Sequence, residues 1–239
     1  MNGLIAAALK AEWSFLKNHF SLRHHPEIQT VHVFTDHPEL WLWQTGVGPD
    51  LPLGVFEKIL AAHKPQRLLN IGTCGALELN LKCGDLVVST AIAAVNSPTV
   101  KLDSYPSLSR KLEAAKIPFI QATTLSATES LKTSLEKKSA HENFGAVSVD
   151  MEGFTLAGWC DRHGMKFCNV RGVFDEACED LVSMGRTHHD NGDFNTTGLV
   201  ADLVNSPSLI LRLPGLQKKI SLIQKRLLPV VHWFVTDFK

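Results

Sequence analysis

Short apolar runs recur along the chain, each followed by a stretch of helical character. That alternation leaves few folds besides an α/β domain with a largely parallel sheet. Gly3–Ala8 is the first run. Residues 11–20 then place Trp13, Phe15, Leu16 and Phe20 near a 3.6-residue period, which predicts a helix directly after the first strand. Val31–Thr35 and Leu40–Thr45 read as a strand pair around Asp36-His37-Pro38. Leu51–His63 reads as a helix ended by Pro65. Arg67–Ile71 reads as a buried strand that breaks into Gly72-Thr73-Cys74-Gly75, a small-residue turn where a ligand can approach the backbone closely. Asp85–Ala94, Phe119–Leu125, Ala146–Val149 and Phe167–Phe174 supply further strands, and Thr155–His163 a helix between the last two. With no internal repeat and no low-complexity linker, the expectation is one domain whose mixed, largely parallel sheet is flanked by helices.

Residues 213–235 have a different character: a basic amphipathic helix interrupted by Pro229. Its basic face would suit a membrane surface, but the preferred reading is a helix that packs its Leu and Ile side chains on the domain. The chain therefore divides into a main domain, residues 1–204, and a helical extension, residues 205–239, packed on it. At 239 residues such a chain buries roughly 70% of its unfolded surface. Lys plus Arg and Asp plus Glu number 24 each, so the basic excess of a nucleic-acid binder is missing and no nucleic-acid partner is expected. Five cysteines without a C-x-x-C pair suggest neither a disulfide framework nor a zinc site, and a reducing compartment. The apolar N-terminus lacks a basic leader and meets Lys10 and Glu12 too soon for a signal peptide, and no run of about 18 apolar residues is present to span a membrane.

Three acids fall where an α/β sheet presents functional groups, at the carboxyl ends of strands or the starts of the following helices. They are Glu12, Glu152 after Ala146–Asp150, and Asp175 after Phe167–Phe174. Each alone is an ordinary helix-start or turn acid, favoured at a helix start by the backbone N–H groups and the helix dipole.

Together they belong to a longer pattern: Gly46-Val47-Gly48, Asn70-Ile71-Gly72-Thr73-Cys74-Gly75-Ala76-Leu77, Gly84-Asp85-Leu86-Val87-Val88, Val149-Asp150-Met151-Glu152-Gly153, and Val170-Arg171-Gly172-Val173-Phe174-Asp175-Glu176-Ala177. From residue 1 to about 204 this resembles the nucleoside phosphorylase/nucleosidase superfamily, and in particular the methylthioadenosine/S-adenosylhomocysteine nucleosidases. The resemblance implies cleavage of the N-glycosidic bond of a purine nucleoside, one modified at the 5′ position, through an oxocarbenium-like centre. Glu152 would accept hydrogen bonds from ribose hydroxyls and Met151 would pack against the sugar. Asp175 would be the general acid at the purine, Glu12 would orient and deprotonate water, and Arg171 would be a structural counter-charge. Gly72, Thr73, Cys74 and Gly75 would line the substrate, with Ser130 near the base.

Phosphorylases of the superfamily end the strand before the small-residue turn in an arginine, and here that place is Asn70. With Glu12 this favours water over phosphate as the nucleophile, although Lys10 could still supply a cation. The alternatives are phosphorolysis, including the type acting on adenosyl-hopane precursors, with phosphate as co-substrate; futalosine hydrolysis; and a non-catalytic nucleoside-binding protein. No cofactor or metal is implied. Two departures bear on the substrate: the turn reads Gly-Thr-Cys-Gly-Ala where the nucleosidases have Gly-Ser-Ala-Gly-Gly, and Ser130 stands where they place a stacking phenylalanine, beside Glu129. Cys74 in the turn invites a nucleophilic role, but a buried, inert thiol is the default. The His and Asp residues of Arg186–Asp193 could bind metal, and a loop rimming the pocket is preferred. Trp41 and Trp43 are read as packing residues. The resemblance further implies a cytoplasmic homo-oligomer, a dimer favoured, acting on a small nucleoside.

Overall fold

The computed structural model describes residues 1–180 and 208–238. Strand β1 (Gly3–Ala7) is buried along its whole length, as its apolar run requires. It lies between β4 (Leu40–Gln44) and β5 (Arg67–Ala76), parallel to both. β3 (Val31–Phe34) and β2 (Leu22–His24) continue that side antiparallel. Beyond β5 come β9 (Ser148–Asp150), β8 (Phe119–Ser126), β6 (Leu86–Ala94) and β10 (Lys166–Asp175), with β7 (Ser97–Lys101) paired to β6. Parallel and antiparallel pairings both occur, so the sheet is mixed. β10 also pairs with β5 in parallel, so that β5, β9, β8, β6 and β10 close into a ring. The β5–β10 register sets Gly72 opposite Arg171 and Thr73 opposite Gly172.

The helices are α1 (Lys10–Trp13), α2 (Leu53–His63), α3 (Pro106–Ala114), α4 (Ser134–Phe144), α5 (Gly153–Arg162) and α6 (Ser208–Thr236). Three expectations are corrected. The helix over residues 11–20 is only the four residues of α1, followed by a 3₁₀ segment at Ser14–Asn18. Trp13, Phe15 and Leu16 are all buried, as the apolar spacing requires, although the α-helix does not continue through them. Second, Gly72–Gly75 is not a turn after the strand: β5 runs on through Ala76, because β10 pairs with it as far as Gly75 and β9 takes up Gly75 and Ala76.

Third, α6 is not interrupted at Pro229. A proline inside a helix costs about 3 kcal/mol. Leu227, Val230, Val231, Trp233 and Phe234 around it are buried in one cluster with Ile5, Leu16, Leu42 and Val170, each contributing about 1.5–3 kcal/mol, and this outweighs the proline. Arg67 on β5 fixes the end of the helix, its Nη1 donating to the carbonyls of Phe234 (2.8 Å) and Phe238. Arg226 pairs with Asp85 at 3.1 Å. The apolar face of α6 therefore completes the main core. No helix among the described residues is long and apolar enough to cross a membrane, and all five cysteines are unpaired. Trp43 stacks with Phe56 and Trp159 on the other face of the sheet, and Trp41 on His63, as packing residues.

Candidate active site

The entry to α1 is shaped by one carboxylate. Glu12, 4% exposed, accepts from the backbone N–H groups of Ala8 and Leu9 through Oε2, both at 3.0 Å. Its Oε1 accepts from Thr73 N (2.7 Å) and Thr73 Oγ1 (2.8 Å). Of these four donors the two on Thr73 tie the first helix to the middle of β5. A side chain at Gly72 would not fit: its Cβ would lie 2.5 Å from Arg171 Nη1 and 2.7 Å from Glu12 Oε1. Glycine at 72 is what lets the acid and the guanidinium meet behind the strand.

Glu152 stands at the N-terminal boundary of α5 without capping it, and faces β10. Its Oε1 accepts from Gly48 N and its Oε2 from Arg171 Nη2, both at 2.9 Å. Arg171 Nε also donates to Asp150 Oδ2 at 3.1 Å, so one guanidinium, 1% exposed, bridges two buried carboxylates. Burial opposes the charge of Arg171, and Asp150, Glu152 and Glu12 more than offset it. Burial also pushes Glu152 up, to about 7, against the pull of Arg171. Asn70 sits behind this pair, its amide 2.8 Å from Asn169 Oδ1 and 2.7 Å from Arg171 Nη2. Asn70 is thus engaged in holding Arg171.

Asp175 ends β10, where the sheet ring closes. Its carboxylate meets the ammonium of Lys137 at 2.5 Å. Lys137 is fully buried on α4 and also donates to the carbonyls of Glu176 (2.9 Å) and Glu179 (2.6 Å). Burial raises the Asp175 pKa above its ordinary value, and Lys137 works the other way without reversing it. Sequence reasoning missed this lysine because no helix was assigned over residues 134–144. The available signal was a lysine on the same face as Ala140 and Phe144 at spacings of three and four, where an apolar residue is expected.

Glu12, Glu152 and Asp175 border one cavity of about 160 Å³ together with Thr73, Met151 and Phe174. Cys74, Gly75, Glu129 and Ser130 also line it, and Ser130 Oγ is 3.7 Å from Met151 Sδ. Gly72 and Arg171 lie behind the wall. Five carboxylates and no lysine or arginine among the described residues form its surface. Lys10, the cation left open for phosphate, lines a different cavity. Cys74 is 5% exposed, and its thiol is pushed far up by burial, which outweighs Arg171. It is therefore an inert wall residue. Phe174 and Asp150 were not singled out as site residues by sequence, and Phe174 supplies an aromatic surface to the wall. Arg186–Asp193 lies outside the described residues.

Lys137→Met tests the electrostatics. Without the ammonium the Asp175 pKa rises further, so a reaction that needs protonated Asp175 should keep its rate to higher pH. The expected result is an alkaline limb of kcat/KM moved upward by at least about one pH unit. An unmoved limb would separate Lys137 from the chemistry.

A family profile described as the phosphorylase superfamily matches residues 5–201. The fold is similar to that of the 5′-methylthioadenosine/S-adenosyl homocysteine nucleosidase of Helicobacter pylori, at 18% identity and a TM-score of 0.71 over 97% of this chain and 98% of that one. The corresponding nucleosidase of Neisseria meningitidis, in complex with methylthio-immucillin-A, gives 16% identity and 0.71 over 96% and 98%. A futalosine hydrolase mutant of Helicobacter pylori gives 17% and 0.69 over 97% and 99%.

Proposed function

The chain belongs to the phosphorylase superfamily, and on that premise we propose that it hydrolyses the N-glycosidic bond of a purine nucleoside modified at the 5′ position. The observation that carries the reading is the cavity itself: Glu12, Glu152 and Asp175 line it together, with no cation on the described wall. Such a surface suits a ribosyl centre that becomes positive and repels a phosphate dianion. The nucleosidases of similar fold, named for methylthioadenosine and futalosine, support a nucleoside substrate.

In this mechanism Glu152, held by Gly48 and Arg171, offers its remaining lone pairs to the ribose hydroxyls. Glu12 takes a proton from water, which attacks the anomeric carbon as its bond to the base nitrogen breaks. Asp175 gives its proton to the base. Burial pushes the Asp175 pKa upward, toward keeping that proton, and Lys137 pairs with the carboxylate once the proton has left. Phe174 offers the base a face in place of the phenylalanine absent at Ser130.

The cavity rim includes Val47, 49% exposed, and Leu53 on α2 is 48% exposed. These surfaces accord with a homodimer that closes the site, and the unpaired cysteines with a reducing, cytoplasmic setting.

Incubation with a nucleoside panel, with and without phosphate, tests the reading by chromatography of the released base. Hydrolysis predicts free base and free ribosyl product without phosphate. Strict dependence on phosphate, with ribose 1-phosphate formed, would establish phosphorolysis instead. Glu152→Ala should raise KM and lower kcat together, by about tenfold or more in each. A change confined to kcat would remove Glu152 from ground-state sugar binding.

A further inference from the structure

We propose that a second cavity, between α1 and the β2–β3 strands, is a binding site for a small tetrahedral oxyanion: a free ion such as phosphate or sulfate, or the phosphoryl group of a small metabolite. The cavity measures about 140 Å³, and its walls include Lys10, Lys17, His24, Thr30, His32 and Gln44. It shares no lining residue with the carboxylate cavity, and the signs are opposite: four basic side chains here and no acid among the described lining residues.

His32 carries the argument. It is 4% exposed, yet both ring nitrogens lack a hydrogen-bond partner, as does Thr30 Oγ1 beside it. Native interiors rarely leave such groups unsatisfied, because each has given up its water without a replacement partner. The ring cannot turn away to find partners. Trp13 packs against it with centroids 4.4 Å apart, and His24, directly across the β2–β3 ladder, at 4.1 Å. Trp13 is itself fixed by donating Nε1 to Gln44 Oε1 at 2.9 Å. A clamped imidazole edge therefore borders the cavity.

The lysines complete the recognition chemistry. Lys10 and Lys17 make no ion pair among the described residues, and Lys17 Nζ instead lies 5.3 Å from the Trp13 ring centroid. Burial lowers the His32 pKa to about 4, with His24, Lys17 and Lys10 adding repulsion. The two lysine ammoniums beside a preformed cavity are what an oxyanion neutralises, through charge-assisted hydrogen bonds from Lys10 and Lys17 and neutral ones from the His32 ring and Thr30.

Isothermal titration of the full chain at constant ionic strength, with inorganic phosphate, sulfate and ribose 5-phosphate, tests the site. The expected result is saturable 1:1 binding with a Kd of about 1 mM or tighter. Lys10→Met with Lys17→Met changes two exposed side chains, and His32→Phe keeps the ring stack while deleting the nitrogens. Each should weaken binding by about tenfold or more, whereas Thr73→Val should not. Preference for ribose 5-phosphate would identify a metabolite-borne phosphoryl group, and equal binding of all three a free-ion site. Absence of saturable binding up to about 20 mM would overturn the proposal. So would binding lost with Thr73→Val and kept in the Lys10, Lys17 and His32 variants, which would put the anion in the carboxylate cavity.

Discussion

Asparagine in place of Asp175 is expected to slow base release by about 10²–10⁴-fold, the usual worth of a positioned general acid, and to leave nucleoside binding largely intact. The substitution deletes the proton donor and keeps the sugar contacts of Glu152 and Met151. It also leaves Lys137, fully buried, without its counter-charge, a loss of the kind that costs about 3–5 kcal/mol. Chemistry and folding are separated by adding Lys137→Met: the double variant should regain stability in urea unfolding and remain inactive. Binding is read by titration calorimetry and turnover by chromatography of the base. Base release unchanged in Asp175→Asn would show the proposed mechanism to be wrong.

Arg171→Met should have the largest effect on stability. The guanidinium bridges Asp150 and Glu152 in a region with almost no solvent, and methionine leaves both acids buried and facing each other. A loss of about 3–5 kcal/mol is expected at neutral pH. Its pH dependence has a definite sign. An acid whose folded-state pKa is raised is most stable protonated, so stability falls as pH rises from the ordinary value of 4.5 through the raised one. For Glu152 that already reaches about 7 with Arg171 present, and it moves higher without it. The variant should therefore recover much of its stability at pH 5 relative to pH 8 in parallel denaturant titrations. An equal loss at both values would mean that lost packing, and not unpaired charge, is the cause.

The apolar strands β1, β4, β5 and β10 were readable in sequence because they are buried on both sides and carry uninterrupted runs. The exposed or half-exposed strands β2 and β7 give no such run. Helix α4 escaped because most of its surface is polar and its one buried charge looks like a solvated lysine. The resemblance of the motifs singled out Glu12, Glu152 and Asp175, and the fold brings all three to one cavity. What the motifs could not supply is the direction of their partners. Arg171 serves Asp150 as well as Glu152, Asn70 turns toward Arg171, and Lys137 reaches Asp175 from a helix 38 residues earlier. The continuity of α6 through Pro229 was equally illegible, since it depends on the buried side chains that outweigh the lost backbone bond.

The closed ring of strands has a kinetic consequence. β5 must find β1 about 60 residues before it and β10 about 100 after it, and Arg67 must then meet the carbonyls of Phe234 and Phe238. Chains dominated by such distant pairings fold slowly, because the entropy of closing long loops is lost before the contacts form. Glu12, Thr73 and Asp175 come together only when that ring shuts. Catalytic competence should therefore emerge late and all at once during folding, with no partly active intermediate before β10 docks.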